Sequence, residues 1–409
     1  MESRYDAIVI GARCAGSPTA MLLARLGYRV LMVDRGTFPS DTVSTHFIHA
    51  PGVAALARWD LRDALAGSGC PPVRTYSFDF GPFTIAGSPQ PVDGVAEAYC
   101  PRRQVLDTML LNAAAEAGVE VREGFSVDEV LIDDGVVVGV RGKQAGGRPV
   151  TEHARIVIGA DGRNSSVVRA VQPEEYNQKP AVGPAFYSYW SGAGSAGFEV
   201  AVRDSFGMAA FPTHGDLTLV IVGLPDDEFR AARHDIDGAF LRALDLWPAL
   251  GERVRSGQRE ERFRAASDLA GWFRKPYGPG WALVGDAGYH LHPITAQGIT
   301  NAFLDAERLS AAIDTAFAGR GTYVDAMAAF QQARDEYAMP MYEMTFDLAQ
   351  LDKPPPPETE QLLAAIALDQ AAMDEFVSVQ AGTLPIPQFF APENVARIMG
   401  SGRETVTQS

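Results

Sequence analysis

Two glycine-marked segments far apart in the chain carry residue types suited to holding a dinucleotide. Residues 8–16 read IVIGARCAG and residues 281–298 read WALVGDAGYHLHPITAQG. In the first, an apolar strand pattern runs into a turn of Gly11, Arg13, Cys14, Ala15 and Gly16 and then into a helix. Such a turn points free backbone N–H groups at a pyrophosphate. Arg13 stands where the middle glycine of a Gly-x-Gly-x-x-Gly pattern usually lies, and its guanidinium could answer phosphate charge. A second apolar strand closes on Asp34, followed by Arg35. An acid about twenty residues beyond the turn is the group that accepts from ribose hydroxyls. The second segment reads as another buried strand, ends on Gly285 and Asp286, and passes through Pro293 to a helix opened by Gln297, Gly298, Ile299 and Thr300. A helix start of that kind presents N–H groups and partial positive charge.

Two further stretches lie between them. Residues 154–169, ARIVIGADGRNSSVVR, run from an apolar strand into Asp161 and Gly162 and then to a Ser-capped helix start. Residues 101–123, PRRQVLDTMLLNAAAEAGVEVRE, place Val105, Met109, Leu110, Ala113 and Ala114 on one helical face, and Gly118 ends that helix. His46 and His49 fall in STHFIHA, and His290 and His292 in the second glycine segment. Near neutral pH, His46, His49 or His292 could act as a base or steer a substrate; each could equally be a hydrogen-bonding group of its loop. Tyr187, Tyr189, Trp190 and Phe211 alternate along strand patterns, as the wall of a pocket for a flat substrate or as plain core. None of the histidine pairs carries the carboxylate spacing of a ligand set, so no metal site is expected.

Taken together, the four stretches resemble the FAD-binding signatures of group A flavoprotein monooxygenases of the p-hydroxybenzoate hydroxylase type, and of their geranylgeranyl reductase-like relatives. The resemblance implies FAD with its pyrophosphate at residues 11–16, its adenosine ribose at Asp34, and its ribityl chain near Asp286 and Arg103. Arg102 is the other candidate at that helix start, and spacing does not separate the two. Asp161 and Gly162 would stand near the pyrophosphate and the pyridine nucleotide, and Pro293 to Thr300 beside the flavin ring. Ala296 replaces a family glycine, a change expected only to narrow the loop. The activity implied is oxygenation of an electron-rich small molecule, with NADH or NADPH as a transient reductant and dioxygen adding to reduced flavin as a hydroperoxide. Three other readings stay open: a flavin reductase of isoprenoid double bonds, a flavin-dependent halogenase, and a non-catalytic nucleotide-binding protein. The Trp-x-Trp-x-Ile-Pro run of halogenases is not found.

The elements needed to position these residues follow from the pattern of the whole chain. Strand and helix signals alternate from residue 5 to about residue 69, as in a parallel sheet with crossover helices. The expected fold is α/β. A discontinuous Rossmann-like FAD-binding domain covers residues 1–75, 101–172 and 276–320, a β-rich substrate domain residues 76–100 and 173–275, and a helical region residues 321–409. A net charge of −16 argues against nucleic acid as a partner. Cys14, Cys70 and Cys100 are too few for a disulfide framework or a metal cluster. No apolar run approaches the length of a membrane span, and the first strand begins at once, so a cytoplasmic protein is expected.

Overall fold

The computed structural model describes residues 5–353 and 355–407. Its first sheet grows outward from Tyr5–Ile10, a run apolar enough to be buried on both faces, as a central parallel strand must be. Val30–Val33 pairs with it in parallel on one side and Val150–Gly159 on the other. Glu120–Arg122 extends the sheet beyond the former, and Trp281–Leu283 beyond the latter. Chain order therefore reverses at Tyr5–Ile10, and a crevice opens past the C-terminal strand ends at that reversal. All four stretches singled out above meet there. The helices Gly16–Arg25, Arg103–Glu116 and Gly298–Phe317 pack on one another beside it.

Val150–Gly159 serves two sheets. Its first half pairs antiparallel with Val136–Gln144, which returns from Phe125–Asp133, and only its second half joins the parallel sheet. A separate antiparallel sheet contains Ala185–Ser191, Leu217–Gly223, Phe206–Pro212 and Phe198–Arg203. Tyr76–Asp79 joins its edge in parallel, followed by Thr84–Gly87. This early segment belongs to the later sheet.

The alternation of side chains across that sheet corrects one expectation. Tyr187, Tyr189 and Phe211 face one side, in a layer with Phe47, Phe198 and Ala296. Trp190 faces the other, against the helices Ile236–Asp245 and Pro248–Ser256, and so cannot share a wall with them. The C-terminal helices Tyr323–Ala349, Pro357–Ile366, Gln370–Gln380, Ile386–Phe389 and Pro392–Thr407 follow. Gln370–Gln380 covers the exposed edge at Thr84–Gly87 with side chains: the Gln370 amide donates to the Ala86 carbonyl, and Asp374 accepts from the Ser88 N–H. This satisfies backbone groups that would otherwise invite another strand. Among the described residues no helix is long and apolar enough to cross a membrane, and no group of His, Cys, Asp and Glu is placed to hold a metal ion.

The first turn owes its shape to absent side chains. A Cβ on Gly16 would lie 1.8 Å from the Gly11 carbonyl oxygen, whereas one on Gly298 would meet nothing. Gly16→Ala is therefore expected to cost about 1–3 kcal/mol through forced backbone movement. Gly298→Ala should leave stability near that of the parent. Urea midpoints of the two variants check this, and a Gly16→Ala protein as stable as the parent would refute the close approach.

Candidate functional site

The turn after Tyr5–Ile10 is braced on two sides. Gly11 has φ +106°, a region open to glycine, and its N–H donates to the Val33 carbonyl at 2.7 Å. Asp34 accepts from the Ala12 N–H at 2.8 Å with one oxygen and from the Gly36 N–H at 2.7 Å with the other. It fixes the turn to the end of its own strand and keeps lone pairs for a further donor. Arg35 is exposed beside it.

Asp107, with 0% exposure, braces the other side. It accepts from Arg13 Nη1 at 2.5 Å, from the Cys14 thiol at 3.3 Å and from Arg103 Nε at 3.1 Å. Arg13 also donates to Ser40 Oγ at 2.9 Å and lies over the Phe38 ring at 5.2 Å. The first partner of Arg13 is thus a protein carboxylate. Burial pushes the Cys14 thiol up, so it remains a neutral donor. Sequence reading missed Asp107 as a centre, although its place one helical turn after Arg103 is an ordinary ion-pair spacing.

The second glycine segment closes on the first. Gly285 has φ +62°, and a Cβ there would lie 2.7 Å from that of Ala15. Asp286 is exposed at this point. Burial opposes the charge on Arg103, and the carboxylates of Asp107 and Asp286 favour it. Asp161 accepts from the Ser166 N–H at 2.7 Å and hydroxyl at 2.5 Å with one oxygen, while the other is buried without a partner. Gly162 follows at φ +78°.

Pro293–Thr295 forms a single turn, after which Ala296 takes φ +55°. The expected narrowing of the loop is only part of the effect, because a residue with a Cβ is strained in the left-handed region. The Gln297 amide donates to the Gln380 carbonyl at 2.9 Å, Ile299 and Thr300 are buried, and Gly298 is exposed. Neither Gly16–Arg25 nor Gly298–Phe317 has a side chain capping its first turn, and neither carries an acid there. Uncapped helix starts, a glycine turn and an orphaned carboxylate oxygen are groups that fit the diphosphate and hydroxyls of FAD.

The three histidines separate once their partners are known. His49 Nδ1 meets the Tyr76 hydroxyl at 2.9 Å and Nε2 the Thr295 carbonyl at 3.0 Å. His292 Nδ1 accepts from the Ile294 N–H at 3.2 Å, and Nε2 meets the Val182 carbonyl at 3.0 Å. Both rings are fully engaged by the fold, which corrects their place among the catalytic candidates. His46 differs. Its Nε2 meets the Tyr189 hydroxyl at 2.5 Å, Nδ1 is buried without a partner, and its backbone stands at φ +62°.

The two arginines separate as well. Arg103 points to Asp107, whereas the Arg102 guanidinium lies 3.9 Å from the Tyr189 ring centre and pairs with Asp41 and Glu261. Tyr187 accepts from the Ser44 N–H at 3.3 Å, and Phe211 stacks on Phe198 at 4.6 Å. Phe211 is therefore inner packing of the layer, and Tyr189 is its polar edge toward His46.

Burial holds the imidazoles well below their ordinary value of 6.5, His46 at about 3 and His49 and His292 at about 4. Below pH 6.5 the unfolded chain takes up protons that the folded one refuses. Stability is thus full above about pH 6.5 and falls as pH drops toward 4, by about 1.4 kcal/mol per pH unit for each histidine. His49→Gln should flatten the slope by that amount, measured as urea midpoints from pH 7 to 4.5. Equal slopes in variant and parent would contradict a neutral, fully paired His49.

Known proteins are similar to this chain in sequence or in fold. A digeranylgeranylglycerophospholipid reductase of Methanocella arvoryzae is 26% identical over 309 residues, which are 74% of this chain and 75% of that protein. A myxobacterial chondrochloren halogenase has the same fold, with a TM-score of 0.78 at 23% identity over 97% of this chain and 96% of that one. A probable FAD-dependent monooxygenase from Pseudomonas aeruginosa superposes with a TM-score of 0.71 at 20% identity, over 92% and 99% of the two chains. Residues 4–238 match the family model described as FAD binding domain, more than half of the chain. The protein belongs to that family, the group A flavoproteins, and is a FAD-dependent oxidoreductase.

Proposed function

We propose that the protein is a monooxygenase that uses NADH or NADPH and dioxygen to oxygenate an electron-rich, aromatic small molecule. The observation that carries this reading is the buried, aromatic boundary between the cofactor sheet and the second sheet. There Phe47, Tyr187, Tyr189, Phe198 and Phe211 are all buried, and His46 is the one catalytic candidate with a ring nitrogen left unpaired. Excluding water from such a place protects reactive oxygen chemistry from hydrolysis and side reactions.

In this reading bound FAD supplies electron uptake from the nicotinamide and activation of dioxygen. The chain's own residues do the positioning. The turn from Gly11 to Gly16 and Arg103 hold the diphosphate and ribityl region, Asp34 and Asp161 accept from hydroxyls, and Asp286 fixes the far end. The uncapped start of Gly298–Phe317 stabilises negative charge beside it. His46, neutral at pH 7, offers Nδ1 to the substrate. No second strand, glycine turn and helix is evident for the nicotinamide, which fits a transient visit. Reduction of isoprenoid double bonds is the second reading, favoured by the similarity to the archaeal reductase. The missing Trp-x-Trp-x-Ile-Pro run weighs against halogenation.

Stopped-flow reoxidation separates them. Reduced holoenzyme mixed with air-saturated buffer should regain flavin absorbance in two phases, and turnover under labelled dioxygen should place one oxygen atom in the product. Single-phase reoxidation without oxygen transfer would favour the reductase.

A further inference from the structure

A second charged cluster sits at the boundary between the sheets, apart from Asp107. Arg102 Nη2 donates to Asp41 at 3.1 Å and to Glu261 at 2.6 Å. Arg264 Nη2 donates to the same Asp41 oxygen at 3.0 Å and lies 3.5 Å from Glu261. Arg102 also covers Tyr189, whose hydroxyl meets His46. Each arginine thus meets both acids through one terminal nitrogen. The Nε atoms of Arg102 and Arg264 and Nδ1 of His46 are all buried without a partner. A native fold rarely leaves such groups unpaired, and two buried guanidinium donors in one cluster point to an absent acceptor.

The two acids are not equivalent. The Glu261 side chain is 30% exposed, against 14% for Asp41 and 9% for Arg102. Its backbone is pinned, because its carbonyl accepts from Ser188 Oγ at 2.7 Å. The carboxylate can therefore swing to solvent while its strand connection stays in place.

We infer that Arg102 and Arg264 form a carboxylate-binding subsite for the substrate, with Glu261 as an internal stand-in that the ligand displaces. This rests on the reading of the boundary as the substrate site. An entering carboxylate would replace one acid with another, so the pair of arginines stays neutralised, and it would engage the Nε–H edge that Glu261 leaves unused. The planar guanidinium fork matches a carboxylate in that edge-on manner. Asp41 remains and keeps both arginines oriented. A neutral amide of the same shape could not compensate for the loss of Glu261.

Calorimetric titration of the holoenzyme with formate, benzoate and benzamide tests the subsite. The parent should bind benzoate in preference to benzamide. Glu261→Gln removes the competing charge and should bind formate and benzoate about tenfold tighter, with benzamide unchanged. Arg264→Gln should abolish the preference for the acid. Unchanged benzoate affinity in Glu261→Gln, failure of both formate and benzoate to bind at millimolar concentration, or equal competition by chloride would overturn the proposal. Reoxidation without oxygen transfer to product would count against the monooxygenase reading instead, and the same titrations would still decide the subsite.

Discussion

Asp107 is a buried carboxylate that receives a guanidinium from each of two segments, Arg13 from the first turn and Arg103 from its own helix, together with the Cys14 thiol. Alone in that position it would carry a severe desolvation penalty; paired and hydrogen-bonded it is tolerable, and loss of both arginines would leave a stranded charge. The consequence is geometric. Because Arg13 and Asp107 are 94 residues apart in sequence, their pairing ties the first turn to the helix Arg103–Glu116. Ala15, on that turn, is the surface against which Gly285 packs, so the acid that follows at Asp286 comes near Arg103. The stretches that carry Arg13, Arg103 and Asp286 meet around this carboxylate, while the stretch of Asp161 is placed by its pairing with Tyr5–Ile10.

Around the crevice the structure departs from local ideals. Ala296 occupies the left-handed region, Asp161 keeps an oxygen without a donor, and two long helices start uncapped. Four other helices carry a side-chain cap: Ser165 accepts from Val168, Asp235 from Gly238, Thr322 from Asp325 and Asp369 from Ala371. Unsatisfied and strained groups at this crevice fit a ligand-binding region.

Much of the scaffold was legible in the sequence because central parallel strands leave continuous apolar runs and tight turns demand glycine. The strand before Gly11, the turn at Gly162 and the edge strands at Tyr76–Asp79 and Thr84–Gly87 all follow from those two rules. Side-chain partners were not legible. Arg264 and Asp41 lie 223 residues apart, and nothing in either local pattern reports the pairing. The same holds for the separation of Arg102 from Arg103, adjacent residues that diverge to different acids. His49 and His292 looked equivalent to His46 as loop residues, and only the carbonyls and hydroxyls that the fold brings to them set them apart. Trp190 went to the opposite face because a strand alternates strictly, a rule available from the sequence but masked by the run of aromatic residues.

Asp107 holds Arg13 and Arg103 in place at the candidate flavin site, and the affinity of Asp107→Asn for FAD tests this most directly. The substitution keeps the shape of the side chain and removes the charge that both arginines share. Isothermal titration of apoprotein with FAD should show affinity lower by about tenfold or more, together with a lower urea midpoint. Affinity equal to or tighter than the parent's would contradict the account, since it would mean that the arginines meet the phosphates without help from Asp107.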